Sequence, residues 1–193
     1  MANLPWQIEV FDDGSNKAFG LHLGQDSLKQ AIDMFGTPEG LSLFSPGPEP
    51  KDLSLEAYFG NIQNGPLSAK LVLNLDTDQA NLRAMAARVT DRKPGTSGAW
   101  QWLLGRQDQE AAARLTIKAM TYIPHYGQLD EDFFRLRFGE PMRKVQIDAN
   151  SQRWLYPDKG LSILIDHKGK EVLQYQVPRD FSTWDSRPEQ PKP

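Results

Sequence analysis

Cysteine is absent from this chain of 193 residues. Its absence excludes disulfides, a thiol nucleophile, cysteinyl metal sites and a lipidated N-terminal cysteine within these residues. It leaves the compartment open, because many proteins of oxidising compartments also lack cysteine. Long apolar runs are missing too. Nothing approaches the ~18 consecutive residues that span a bilayer, and no basic-then-apolar leader is present. A strand-like stretch, Trp6–Val10, begins almost at the first residue. The chain therefore reads either as full length and cytoplasmic, or as lacking an upstream signal or anchor. A membrane tether is expected only in the second case.

Positive charge is not in excess. The net charge of −3 and pI of about 5.6 disfavour nucleic acid and anionic membrane as main partners. Histidine is scarce, at 3 residues. There is no His-Glu-x-x-His, no Gly-x-Ser-x-Gly nucleophile elbow, and no phosphate-cradling pattern around Gly60, Gly65 or Gly160. No metal and no cofactor is expected, and an enzyme reading has no positive motif behind it. What remains is ordinary for a globular protein: 39% hydrophobic and 24% charged residues. That length suits one domain or two small ones closely packed.

Alternating Trp6, Ile8 and Val10 predict a half-buried strand. The turn Asp12–Ser15 and a strand over Lys17–Leu23 complete a hairpin. Asp26 or Ser27 caps a helix whose apolar stripe is Leu28, Ala31, Ile32 and Phe35, with Gly36 at a left-handed C′ position and Pro38 preventing continuation. Strands are expected at Gly40–Phe44, Leu53–Phe59 and Leu67–Leu75, then a helix from Asp76 or Asp78 to Arg88. Asp91–Gly98 is the most linker-like stretch and divides the chain. Beyond it come a strand at Ala99–Leu104, a helix near Gln107–Leu115, a strand at Ile117–Ile123 and a helix capped by Asp130. Strands at Lys144–Ile147, Arg153–Tyr156, Leu161–Asp166 and Val172–Val177 form an antiparallel meander. From Ser182 the Pro-rich polar tail has nothing to bury and is expected to be disordered.

One element occurs twice. His22, Gly24, Gln25, Phe35, Gly36 and Pro38 recur 103 residues later as His125, Gly127, Gln128, Phe138, Gly139 and Pro141, six identities in seventeen ungapped positions. Convergent capping accounts for Gly and Pro alone, but not for the His-x-Gly-Gln before the helix. The reading is an α+β protein of two tandem helix-plus-antiparallel-sheet repeats, residues 5–90 and 99–181, followed by the tail 182–193. The short helix ending Gly-x-Pro, then a meander containing Trp154-Leu155-Tyr156-Pro157, resembles the SmpA/OmlA (BamE-like) outer-membrane assembly lipoproteins. In tandem it resembles the β-lactamase-inhibitor-protein architecture. That resemblance implies a periplasmic or envelope location and a protein-binding or assembly role. The family's Gly-Met-Thr entry is replaced here by Gly24-Gln25-Asp26 and Gly127-Gln128-Leu129.

The candidate binding residues are aromatic. Trp100 and Trp102 share one face of a strand, as do Trp154 and Tyr156, and Tyr175 lies on the last strand. On an uncovered sheet face they would anchor a partner. Beneath the helices they are core, the stronger physical claim because aromatic side chains dominate burial. His22 and His125 occupy matching positions and are candidates for an acid–base or ligand pair in a pocket between the repeats, against ordinary structural hydrogen bonding. His167 reads as a turn residue, and Asp130-Glu131-Asp132 as cap and dipole complement. The expected function is non-catalytic binding of another protein. The alternatives are a small-ligand binder or enzyme, and an inhibitor or immunity protein.

Overall fold

The alternation of apolar and polar residues along the strands sets the architecture, because successive side chains point to opposite sheet faces. The computed structural model describes residues 3–64, 67–95, 98–126 and 129–183. A small antiparallel sheet comes first: β1 (Glu9–Val10), β2 (Asn16–Ala18) and β3 (Leu21–His22). The single strand expected over Lys17–Leu23 is two strands. Phe19 and Gly20 both have positive φ, 55° and 82°, as in a two-residue hairpin turn. Phe19 holds that unusual backbone because its ring is buried between Tyr122 and Tyr175, at centroid distances of 5.0 and 5.2 Å. Trp6 does not join a strand. It packs edge-on against Phe133, with the Arg137 guanidinium 4.6 Å above its ring.

The next elements are α1 (Leu28–Phe35), β4 (Gly40–Ser45), β5 (Ser54–Asn64), β6 (Leu67–Leu75) and α2 (Gln79–Arg88). They are followed by β7 (Arg92–Pro94), β8 (Trp100–Leu103), α3 (Arg106–Ala112), β9 (Ile117–Pro124) and α4 (Glu131–Phe138). The chain closes with β10 (Arg143–Gln146), β11 (Ser151–Tyr156), β12 (Leu161–Asp166) and β13 (Val172–Gln176). Strands β4 to β13 form one antiparallel ten-stranded sheet in the order β10-β11-β12-β13-β9-β6-β5-β4-β8-β7. The α+β expectation holds.

The first part of the stretch read as a linker is a strand. Arg92 and Pro94 of β7 pair with Trp102 and Trp100 of β8. Proline is tolerated there because β7 is an edge strand, where a missing N–H costs no ladder bond. The sheet also runs through the expected division, since β8 pairs with β4, and β9 pairs with both β6 and β13. Helix α3 ends earlier than its periodicity suggests. The carbonyls of Ala113 and Leu115 are instead taken by the backbone N–H groups of Lys29 and Leu28 at the start of α1.

Helices α1 and α4 are each eight residues long and begin 103 residues apart. Ser27 caps the first in a capping box with Gln30, and Asp130 caps the second by accepting from Phe133 N–H. Gly36 and Gly139 end them at φ 87°, ψ −174° and φ 83°, ψ −171°. This is not the left-handed helical geometry expected at Gly36. It is a positive-φ extended region that is essentially glycine-only. After each helix three strands run inward from β4 or β10, and β9 and β13 are the fourth in line. The recurring Gly127 and Gln128 lie outside the described residues, as does the tail from residue 184. Ser182 and Thr183 close a 3-10 turn that starts at Pro178.

Leu55, Ala57 and Phe59 of β5, Leu71 and Leu73 of β6, and Trp154, Ile163 and Tyr175 share one face of the sheet and are buried. Buried residues of all four helices join them in one core: Leu28 and Ala31, Leu82 and Met85, Ala112, Phe134 and Phe138. Phe35 meets Phe59 and Phe138 meets Tyr156. Phe19 covers the same face at the sheet's centre.

Candidate functional site: the open face of the sheet

The opposite set of strand residues has no helix over it among the described residues. Read through the registers, Gly40, Tyr58, Val72, Thr121, Gln174, Ser162, Leu155 and Arg143 form a single row across eight strands. Tyr58, Val72, Thr121 and Gln174 are half-buried. A second row runs Ser42, Glu56, Asn74, Ala119 and Gln176. A third, Val172, Leu164, Arg153 and Val145, crosses the far end.

Glu56 is the chemically distinctive member. Its Oε1 accepts from Ser54 Oγ at 3.0 Å and from Asn74 Nδ2 at 3.2 Å. Burial pushes its carboxyl above the ordinary range, and those two hydrogen bonds oppose the shift. No cation pairs with it among the described residues. Ser42, directly across β4, is engaged from its other side by Gln101 Nε2 at 3.0 Å. Ser162 Oγ, in the first row, is buried and makes no hydrogen bond among the described residues.

The aromatic residues anticipated as anchors lie elsewhere. Trp102, Trp154, Tyr156 and Tyr175 are buried at 5%, 0%, 1% and 0% exposure, on the helix-covered face. Trp102 Nε1 donates to Ser45 Oγ at 2.8 Å, Tyr156 OH to the Gly139 carbonyl at 3.0 Å, and Tyr175 OH to the Pro5 carbonyl at 2.9 Å. Trp154 has cations near its ring, Arg135 at 5.2 Å and Lys144 at 4.2 Å. These side chains build the core that the other reading offered them. Trp100 alone is half-buried, at the start of β8 with Arg92 of the edge strand β7 5.9 Å from its ring.

The histidines are not brought into a common site. His22 stacks on Phe11 at 4.6 Å, and its Nε2 is 2.7 Å from Ser15 Oγ, which donates to Asp13. The carboxylate thus sits on the serine rather than on the imidazole, and Ser15 is buried at 1% exposure, so this is a folded turn rather than a nucleophile. Its two hydrogen bonds from Ser15 hold the Asp13 carboxyl below its usual value. His125, just past β9, donates its backbone N–H to the Ser68 carbonyl, and no contact joins it to His22 among the described residues. A recess of about 340 Å³ is lined by Asn3, Gln7, Ile8, Glu9, Lys17 and Gly20, at the small sheet. Among the described residues no group of three or more His, Asp or Glu side chains is placed to hold a metal ion.

Glu56 escaped notice in the sequence because an outward residue in the alternation Leu55-Glu56-Ala57 reads as solvated. Only the strand order shows that it stands inside a wide sheet. Comparisons with protein-family models, curated proteins and solved structures give no match for this chain. No helix among the described residues is long and apolar enough to cross a membrane.

Proposed function

We propose that this chain is a non-catalytic module that binds another protein across the open face of its large sheet. The observation that carries the reading is the eight-strand row through Tyr58, Val72, Thr121 and Gln174, wide, half-buried at those four positions and with no helix over it among the described residues. A contiguous surface of mixed apolar and hydrogen-bonding groups with a polar rim suits a protein interface. The sheet edges suit one far less. Both outer strands begin Arg-Lys, at Arg92-Lys93 and Arg143-Lys144, and charged edges resist strand addition.

In the same reading, α1 with β4, β5, β6 and β9 is one copy of a duplicated unit, and α4 with β10 to β13 is the other. The segment from α2 to α3 is then an insertion in the first copy. The matched lengths and glycine geometry of α1 and α4 support this. So does the resemblance to SmpA/OmlA proteins and to tandem inhibitor-like architecture, which points to assembly work in a cell envelope. The test is a photo-crosslinking residue placed at Thr121, with one at Lys29 on α1 as control, in the native organism. A discrete protein adduct from position 121 alone is expected. Adducts from position 29 alone, or none from 121, would overturn the reading.

A further inference from the structure

Glu56 is half-buried on the open face, and its surroundings define what it takes up. The neighbours across the strands are short: Ser42 on β4, and Asn74 with Ala119 beyond it on β6 and β9. Along β5 the same face carries Ser54 and Tyr58. The half-buried carboxylate is thus ringed by short side chains, with the larger Tyr58 and Val72 beside it. Ser54 and Asn74 both hydrogen-bond to Oε1, and no donor within the described residues is assigned to Oε2. The other charged residues of this face are mostly basic and peripheral: Lys70, Lys93, Arg143 and Arg153, with Asp166 at the far end of β12 and Glu39, whose carboxylate lies over Gly60 of β5. Complementarity therefore asks for a central cation on the partner, set among neutral or acidic groups.

We infer that the open face receives an arginine side chain of a protein partner, whose guanidinium pairs with Glu56. Arginine fits better than lysine because it is the more weakly hydrated cation, so less is lost when it is desolvated beside the half-buried carboxylate, and its N–H groups can donate to the Oε2 that Ser54 and Asn74 leave open. The inference rests on the open-face reading and adds the chemistry of its anchor. Partial burial of a carboxyl that no cation pairs among the described residues is the cost that such a cation relieves.

The experiment is an NMR titration of the isotope-labelled protein with N-acetylarginine methylamide, beside its neutral isostere N-acetylcitrulline methylamide. Saturable shifts centred on Ser54, Glu56, Asn74 and Ala119 are expected with the arginine amide, and binding weaker by roughly 10-fold or more with the citrulline amide. Glu56→Gln should lose the arginine response by a similar factor while keeping its fold, which the unchanged remainder of the spectrum reports. Equal responses to the two amides, or no saturable response at all, would overturn the inference in the unmodified protein without any variant. Retention of the response in Glu56→Gln would overturn it as well. If Thr121 crosslinks a partner that binds Glu56→Gln undiminished, the open face stands and the arginine anchor falls. If the arginine response is present and Thr121 makes no adduct, the anchor stands and the open-face reading falls.

Discussion

Replacing Gly36 or Gly139 with alanine isolates backbone strain from steric clash. A Cβ built at either position meets nothing within 4 Å, so no neighbour has to move. What alanine meets is its own backbone, at φ 87° or 83° with ψ near 180°. Holding a residue with a side chain there costs ~1–3 kcal/mol. Alanine also restricts the unfolded chain, which returns ~0.4–1 kcal/mol. At the middle of each range the net loss is about 1–2 kcal/mol for each variant, and the two should agree closely because their geometries do. At roughly 2–4 °C per kcal/mol for a chain of this size, melting falls by about 2–8 °C. The double variant should be additive to within ~0.5 kcal/mol if the two sites are independent. Gly47→Ala is the control, since it too has open space but no positive φ, and it should be neutral or slightly stabilising. Urea unfolding monitored by tryptophan fluorescence measures all four. Losses below about 0.5 kcal/mol, or a difference between the two variants above about 1 kcal/mol, would refute the matched-strain reasoning.

Tyr175→Phe removes the buried hydrogen bond to the Pro5 carbonyl and should cost ~1–2 kcal/mol in the same assay, with faster amide exchange around residues 3–8. Trp102→Phe loses its donor to Ser45 Oγ, but Ser45 still donates to the Gly47 carbonyl, so the expected cost is ~1 kcal/mol. Arg88→Ala should lower the urea midpoint more than Asp108→Asn, because the first strands the buried Asp108 carboxylate that Arg88 holds at 2.6 Å. Burial raises the carboxyls of both Glu56 and Glu171, and Asp166 adds to the shift at Glu171. The folded protein then keeps protons that the unfolded chain releases near pH 4.5. Their contribution to stability is therefore greatest below that value and is lost as pH rises through the folded-state values. Urea midpoints measured across that range should show the decline, and Glu56→Gln should flatten part of it.

Local chemistry was legible where it did not depend on the rest of the fold. Leu67–Leu75 and Leu161–Asp166 are strands with the bounds that their alternation predicts. The caps Asp78 and Asp130 and the glycine stops are equally local. Tertiary contacts overrode propensity elsewhere. Phe19 sits at positive φ because two tyrosines bury its ring, which nothing in its neighbours along the chain announces. Pro94-Gly95 reads as linker, yet Pro94 pairs at an edge that exists only because β8 lies beside β4. The tryptophans and tyrosines share faces as their spacing predicts, but which face the helices cover is decided by how α1 and α4 fold back onto the sheet. The same ambiguity concealed Glu56.

The proposed partner-binding surface is the open sheet face. Its most direct measurement is the affinity of the partner captured at Thr121 for a small set of variants, by calorimetry on purified proteins. Thr121→Arg and Tyr58→Ala, in the eight-strand row, should weaken binding by roughly 10-fold or more, as truncating or obstructing central interface residues does. Lys29→Ala and Arg83→Ala, on exposed positions of α1 and α2, should leave it within about 2-fold, as peripheral contacts do. The opposite pattern, with the helix-side variants losing affinity and the row variants keeping it, would contradict the account.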